Sequence, residues 1–411
     1  MSGRYDRFLP YAKPTLHEDD VTAVLEVLNS DFWTTGPLVS ALEEAVAGAC
    51  GSSHAVAVAN GTAALHLAAA AAGIGPSSLV IVPDITFVAT ANAARYMGAE
   101  VLLCDVDPNT GLMTPECLAA AIQCTDREVS CVIPVHLAGQ TVDMEGVSEV
   151  LRRDQRSAGA IVIEDASHAI GSRYPDGSPV GRSPHSAMAT FSFHPVKSVA
   201  TGEGGAITTS DPSLAARITS LRAHGISRDP DHFANQAGAF ARNGEANYWY
   251  YEASELGFNY RLSDIHAALA LSQIRRLDEL RSHRAKLVRR YCELLEPLSP
   301  VVTCVPQASA GEPCWHLMVV LVDFAAIGTD RNSFGRALRS VGIGTQVHYI
   351  PLHRQPTLAG SAAGGNMEGA ESYYDRCLSL PLFAAMGEDD VARVCAAIAD
   401  IAAGGTGSAG R

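Results

Sequence analysis

The sequence predicts an α/β protein: a large, mixed but mostly parallel sheet covered by helices on both faces, followed by a smaller α+β C-terminal unit. Three observations predict this. Short β-branched runs alternate with stretches long enough for helical crossovers. Those runs end near polar residues, where ligands gather in such sheets. A chain of 411 residues, 47% hydrophobic and 18% charged, can bury one large core and a second, smaller one. The large domain is expected over residues 1–284, N-terminal segment included, and the small one over 285–411.

The first helix is announced at TLHEDD, where Thr15 and Glu18 have capping-box spacing, and it continues through VTAVLEVLN. HAVAVAN reads as a strand and GTAALHLAAAAAG as the helix that follows. LVIVPD, EVLLCDVD, VSCVIPVH and AIVIEDA each read as a further strand. FSFHPVKSVATGEGGAITTSD, residues 191–211, reads as strand, turn, strand. From about 226 to 252 the chain turns polar and glycine-containing, too long for a simple connection, which marks a functional or mobile loop. LSDIHAALALSQIRRLDELRSHRAKLVRRYCELLEPL is helical and leads into the second unit. Strands are expected there at WHLMVVLVDF and IGTQVHYI, and the closing AGGTGSAGR reads as frayed.

Composition narrows the partners. A formal net charge of -14 disfavours nucleic acid, whose binding needs clustered cations to displace counterions, and favours a small molecule. MSGRYDRFLP carries no apolar signal stretch, and no window reaches the roughly 18 apolar residues of a membrane span, so no membrane partner is expected. Ten cysteines without a CxxC pair suit a reducing cytoplasm, and Cys104, Cys131 and Cys395 lie in apolar runs that read as core. No HExxH or clustered Cys/His spacing points to a metal. GEGGA is not the GxGxxG of a dinucleotide turn.

The chemistry centres on Lys197, a lone cation among aromatic, small and hydroxyl side chains, followed by Gly202, Gly204 and Gly205. Those glycines permit a tight turn behind the lysine or mark an ordinary hairpin. In EDASHAIG a strand delivers Asp165 to the sheet edge, where it reads either as a helix cap or as a partner for a cationic ring nitrogen. Lys197 can form a Schiff base with an aldehyde. Together the two groups supply what pyridoxal 5'-phosphate needs: a covalent anchor that shuttles protons, and an anion that keeps the ring an electron sink. NGTAAL lies where a strand meets a helix, so the amides of Gly61, Thr62 and Ala63 and the Thr62 hydroxyl can face a phosphate, as any such turn could. Ser192 could add a hydroxyl. Phe87 could stack on the ring or belong to the core.

FSFHPVKSVATGEGGA, EDASHAIG, NGTAAL, HLAGQ and LGFNYRLSD, in this order from about residue 9 to 400, resemble the DegT/StrS-type sugar aminotransferases, pyridoxal phosphate enzymes of fold type I, the aspartate aminotransferase-like fold. RFLPYAKPTLHEDD, ITFVATANA, AHGISRD, WYYEASELGFNYRLSD and HYIPLHRQP are most similar to the 4-aminotransferases that act on UDP-4-keto-6-deoxy-N-acetylhexosamines on the route to pseudaminic acid. NGTAAL and YAKP depart from that narrower pattern. The resemblance implies Lys197 as Schiff-base lysine, Asp165 on the pyridine nitrogen, His168 beside the phenolic oxygen, and Phe87 over the ring. It implies Thr62, Ala63 and Ser192 at the phosphate. Asn259, with Arg261 nearby, would reach the neighbouring subunit's cofactor in a homodimer. Thr34, Thr35 and Gly36, the loop before Glu252, and His348 with Tyr349 would line the sugar-nucleotide cleft.

The implied reaction takes an amino group from L-glutamate to a keto-sugar nucleotide, with pyridoxamine phosphate between the two halves. Other readings are a dTDP-keto sugar or a keto-cyclitol as acceptor, or a non-enzymatic regulator on the same fold. Relatives that dehydrate sugars carry histidine where Lys197 stands.

Overall fold

The apolar runs become β1 (His54–Val58), β2 (Leu79–Pro83), β3 (Glu100–Cys104), β4 (Cys131–Val132), β5 (Ile161–Asp165), β6 (Met188–Ser192) and β7 (Gly205–Thr209) in the computed structural model, which describes residues 7–404. Their order across the sheet is β1-β7-β6-β5-β4-β2-β3. β7 pairs antiparallel with β1 and β6, and the remaining pairs are parallel. Only β7 therefore runs against the rest, and the carboxyl ends of the other six share one edge. Helices cover both faces, so every residue of β2 and β7 is buried. In chain order the helices are α1 (Glu18–Leu28), α2 (Pro37–Cys50), α3 (Gly61–Ala71), α4 (Ala89–Tyr96), α5 (Pro115–Gln123), α6 (Met144–Arg153) and α7 (Pro212–Arg222).

The polar stretch after residue 226 has structure of its own. β8 (Ile226–Ser227) pairs antiparallel with β9 (Glu252–Ala253), and a short α8 (Gln236–Ala239) lies between them. The Glu252 carboxylate accepts from the Ala234 and Asn235 amides, each at 2.7 Å, and from the Tyr250 hydroxyl at 2.8 Å.

Beyond it, α9 (Asp264–Ile274) and α10 (Leu277–Leu295) lead to β10 (Val302–Cys304), β11 (Met318–Val322) and α11 (Arg331–Ser340), then β12 (Ala362–Ala363), α12 (Glu368–Arg376), β13 (Cys377–Leu380) and α13 (Glu388–Ala402). β10, β11 and β13 form an antiparallel sheet. Its core gathers Leu287, Tyr291, Phe334, Leu338, Val391 and, from the far N-terminal side, Leu9. α10 passes from the first core at Leu277 to the second at Leu287, so residue 285 lies inside a helix. β12 returns to the large sheet and pairs parallel with β3. Residues 1–6 and 405–411, including most of AGGTGSAGR, lie outside the described residues.

Four local expectations change. The cap of α1 is His17, not Thr15: its Nδ1 accepts from the Asp19 amide, and Asp20 accepts from the His17 amide at 2.9 Å. Asp20 is also held by Ser272 at 2.6 Å and Arg276 at 2.7 Å, so tertiary pairing sets where the helix starts. VSCVIPVH keeps a regular ladder only over Cys131–Val132; Pro134 has no N–H to donate, and pairing resumes as a single bridge from Val135 to Asp165. The long helical stretch breaks at Arg275–Arg276, where Arg276 turns its guanidinium back to Asp20. IGTQVHYI is not a strand: Ile343 bridges to Leu9 and Gln346 to Ser379, after which the chain turns into the sheet edge.

Asp264 ties the N-terminal segment to α9. It is fully buried, accepting from the Gly36 amide at 2.8 Å and the Leu38 amide at 3.0 Å. Asp264→Ala strands both donors, and a loss of about 2 kcal/mol is expected, read as a lower urea midpoint than the parent chain.

Candidate active site

Six strand ends on one edge bring Asn60, Asp84, Asp105, His136, Asp165 and Ser192 to one side of the sheet. A cleft of about 830 Å³ opens there. Its lining includes Gly61, Thr62, Ala63, Phe87, Asp165, His168, Ser192, Lys197, His348 and Tyr349.

Lys197 sits in the turn between β6 and β7, its amide donating to the His194 carbonyl at 2.8 Å. The turn is braced from α9: Gln273 accepts from the Ala200 amide at 2.9 Å and donates to the Ala200 carbonyl at 2.8 Å. β7 follows at Gly205, where an added Cβ would meet the Asn60 carbonyl at 2.7 Å. The Lys197 Nζ has no hydrogen-bond or ion-pair partner among the described residues. Burial pushes its pKa down to about 8, against the opposing attraction of Asp165.

Asp165 ends β5 and is buried. No helix follows for it to cap; its Oδ1 instead accepts from the Ser167 amide at 3.1 Å within a turn. Its Oδ2 accepts from the Thr90 hydroxyl at 2.7 Å. Because that proton is committed, Thr90 Oγ1 accepts in turn from Thr86 at 2.8 Å. Thr86 and Thr90 flank Phe87, so one relay of hydroxyls ties the carboxylate to the segment carrying the aromatic ring. Phe87 is 56% exposed at the rim, its centroid 5.9 Å from that of Tyr349.

His168 is oriented by two contacts. The Ala138 amide donates to its Nδ1 at 3.2 Å, so Nε2 carries the proton and donates to the Tyr349 hydroxyl at 3.1 Å. That leaves the Tyr349 O–H free to donate elsewhere. Burial, Lys197 and His348 hold the His168 pKa well below its ordinary value. Burial, with Lys197 adding, pushes His348 down to about 3, and its Nδ1 meets the Ser379 hydroxyl at 2.8 Å. Burial also raises the Tyr349 phenol. The imidazoles and the phenol near the amine are thus neutral, while Asp165 faces it as a carboxylate.

At the phosphate end, Asn60 caps α3 and its Oδ1 accepts from the Ala63 amide at 2.8 Å. Of the three amides proposed as a cradle, Ala63's is therefore already engaged. Those of Gly61 and Thr62 have no protein partner among the described residues. Gly61 packs on Ser192 so closely that a Cβ would lie 2.7 Å from the serine Cβ, which sets the helix end directly against that hydroxyl.

The remaining expected residues lie elsewhere. Thr34, Thr35 and Gly36 do not line the cleft; Thr34 bridges to Ser263 and Gly36 is pinned to Asp264. Asn259 and Arg261 are exposed on the segment that crosses the end of β1, outside their own chain's cleft. Sequence reasoning missed Tyr11, Thr86, Thr90, Tyr260, His316 and Gln346, all but Thr90 in the cleft lining. The i,i+4 threonines around Phe87 carry a readable signal, as does a histidine opening the apolar run HLMVVLV. Tyr11 and Gln346 carry none.

These residues fit pyridoxal phosphate on structural grounds. An uncommitted amine of lowered pKa faces a buried carboxylate that has no ion pair among the described residues, and a helix N-terminus with two open amides abuts a serine hydroxyl. The profile of the DegT/DnrJ/EryC1/StrS aminotransferase family matches residues 14–399. The spore coat polysaccharide biosynthesis protein SpsC of Bacillus subtilis (strain 168) is 37% identical over 410 residues, 98% of this chain and 100% of that protein. Helicobacter pylori PseC, an aminotransferase involved in the biosynthesis of pseudoaminic acid, superposes with a TM-score of 0.85 at 25% identity over 97% of this chain and 100% of that one. The PMP form of the putative sugar aminotransferase Spr1654 from Streptococcus pneumoniae gives 0.84 at 25% identity over 96% and 99%. The architecture is that of fold type I aminotransferases.

Two pH responses follow from the geometry. In the apo protein, acylation of Lys197 by acetic anhydride should rise with a midpoint near pH 8 rather than the ordinary 10.5, and Asp165→Asn, removing the attraction that favours the charged amine, should lower it further; peptide mass spectrometry reads both. The His348 imidazole binds its proton near 6.5 when unfolded but only near 3 when folded. Stability should fall as pH drops across that window, and His348→Gln should flatten the fall in thermal unfolding at stepped pH.

Proposed function

The chain belongs to the DegT/DnrJ/EryC1/StrS aminotransferase family, and we propose that it transfers an amino group from L-glutamate to a nucleotide-linked 4-keto-6-deoxy sugar of the UDP-4-keto-6-deoxy-N-acetyl-L-altrosamine type. The observation that carries the reading is the Lys197 amine, uncommitted and brought down to about 8, facing the Asp165 carboxylate in one cleft. The likeness to PseC supports the choice of sugar.

Bound pyridoxal phosphate supplies an aldehyde for amines and a ring that takes up electron density. Lys197 would anchor it and, once freed, move a proton between the donor's Cα and the cofactor; an amine near pH 8 is suited to give and take a proton at neutral pH. Asp165, fixed by Thr90 and Ser167, would hold a proton on the ring nitrogen. Phe87 would cover one ring face, and His168 with Tyr349 would present neutral donors at the ring edge. The open Gly61 and Thr62 amides, on the positive end of α3, would take the phosphate with Ser192. Asn259 and Arg261, exposed and outside their own cleft, would complete that site in a second subunit of a homodimer. His348, in the cleft lining, would meet the sugar, whereas Thr34–Gly36 would do so only from outside this cleft.

NGTAAL, the phosphate turn shared with other sugar aminotransferases, favours a second acceptor class, a dTDP-keto sugar or keto-cyclitol. The pyridoxamine phosphate form, incubated with UDP- and dTDP-linked 4-keto sugars and a keto-cyclitol, is expected to regain the aldehyde absorbance fastest with the UDP sugar. Recovery with another acceptor alone overturns the sugar and spares the family. Lys197→Ala should lower turnover by about 10³-fold or more; an unchanged rate would remove the lysine from the mechanism.

A further inference from the structure

We propose that Cys292 and Cys304 form an oxidative modification site in the C-terminal unit, a dithiol that hydrogen peroxide converts to an intramolecular disulfide. Cys292 lies in the last turns of α10 and Cys304 ends β10, and the helix packs directly on that strand. Their thiols lie near enough that each perturbs the other's titration. Both are half-buried, unlike the buried Cys50, Cys104, Cys131, Cys314, Cys377 and Cys395. Both line a groove of about 660 Å³ that shares no residue with the cleft described above, so a small oxidant has an approach.

The groove favours a reactive thiolate at Cys292. The neighbouring Cys304 thiol holds the Cys292 thiol below its ordinary range, although burial and then Glu293 oppose this, while Cys304 is raised. Arg281 and Arg289 line the groove, Glu312 among them. Arg281 is committed to Glu312 at 2.7 Å, while Arg289, also on the groove wall, has no ion-pair partner among the described residues.

The chemistry balances without a further co-reactant. The Cys292 thiolate attacks one peroxide oxygen, the O–O bond breaks, and the departing hydroxide takes up the thiol's proton as water, leaving a sulfenic acid. The Cys304 sulfur then attacks the Cys292 sulfur, the S–O bond breaks, and a second water leaves with the Cys304 proton. Two thiols lose two electrons and the peroxide is reduced to two waters. The bond would close the turn between α10 and β10. Trp315 lines the groove and its neighbour His316 lines the active cleft, so the two sites meet along one stretch of chain.

The test uses the full-length, cofactor-loaded protein, treated with roughly stoichiometric hydrogen peroxide, blocked with iodoacetamide and digested at glutamate without reduction. Cleavage after Glu293 puts Cys292 and Cys304 on separate peptides, and fragmentation of the second peptide tells Cys304 from Cys314. The expected result is a joined pair lighter by two hydrogens than the reduced peptides together, and separated again by dithiothreitol. Cys304→Ser should stop the reaction at a sulfenic acid on Cys292, trapped by dimedone, and Cys292→Ser should leave Cys304 fully alkylated. The proposal is overturned if both cysteines stay alkylated while the exposed Cys124 is oxidised, or if Cys304→Ser yields no trapped sulfenic acid. The wild-type peptide map needs no variant to fold.

Discussion

An amine and a carboxylate share one cleft here without closing into an ion pair, and the rest of the site depends on that separation. Two unit charges in contact near a protein surface attract by about 4 kcal/mol. Contact would therefore raise a lysine by roughly three pKa units and lock it as a cation. In this cleft desolvation wins, and Lys197 falls to about 8 although Asp165 still pulls the other way. The balance survives because both oxygens of Asp165 are engaged by Thr90 and Ser167, while Lys197 is held by its own turn. The neutral imidazoles of His168 and His348 add no competing charge beside the amine.

Sheet topology makes the separation reproducible. Asp165 leaves a parallel strand at the ligand edge, but Lys197 has to reach the same edge from a neighbouring strand whose end is already there. Reversing only β7 solves this, because the turn from β6 into β7 stays at the edge and carries the lysine with it. The cost appears as close backbone approaches. β7 enters at Gly205 against Asn60, and α3 enters at Gly61 against Ser192. A side chain at either glycine would push the phosphate end of the cleft away from the amine end.

What could be read from the sequence was local. β1 with α3, the strand ending in Asp165, and the strand–turn–strand around Lys197 each announce themselves within about twenty residues, because period, turn chemistry and helix entry are short-range signals. The assignments that failed were those decided by distant partners. His17 caps α1 because Asp20 answers to Ser272 and Arg276 more than 250 positions away. IGTQVHYI has the composition of a strand, yet Leu9 and Ser379 take its backbone one bridge at a time. The commitment of the Ala63 amide to Asn60 was visible in principle, since asparagine before a helix is a strong cap, but cap and cradle compete for the same donors.

The residues around the aromatic rings are fixed from two sides by one clamp. Asp84, fully buried just past β2, accepts from the His353 amide at 2.9 Å and meets its Nδ1 at 2.6 Å. The opposite ring nitrogen meets Glu371 of α12 at 2.7 Å, and Arg354 also binds that carboxylate. Burial raises the Asp84 carboxyl, and the bonds from His353 offset part of that cost, so neither partner is indifferent to losing the other. Asp84 lies two residues before Thr86 and three before Phe87, while His353 lies four after Tyr349. The clamp therefore sets the spacing of Phe87 and Tyr349 across the cleft mouth, and through Thr86 and Thr90 it reaches the Asp165 carboxylate itself. A charge cluster that touches none of the reacting groups thus holds the geometry on which the amine–carboxylate separation rests.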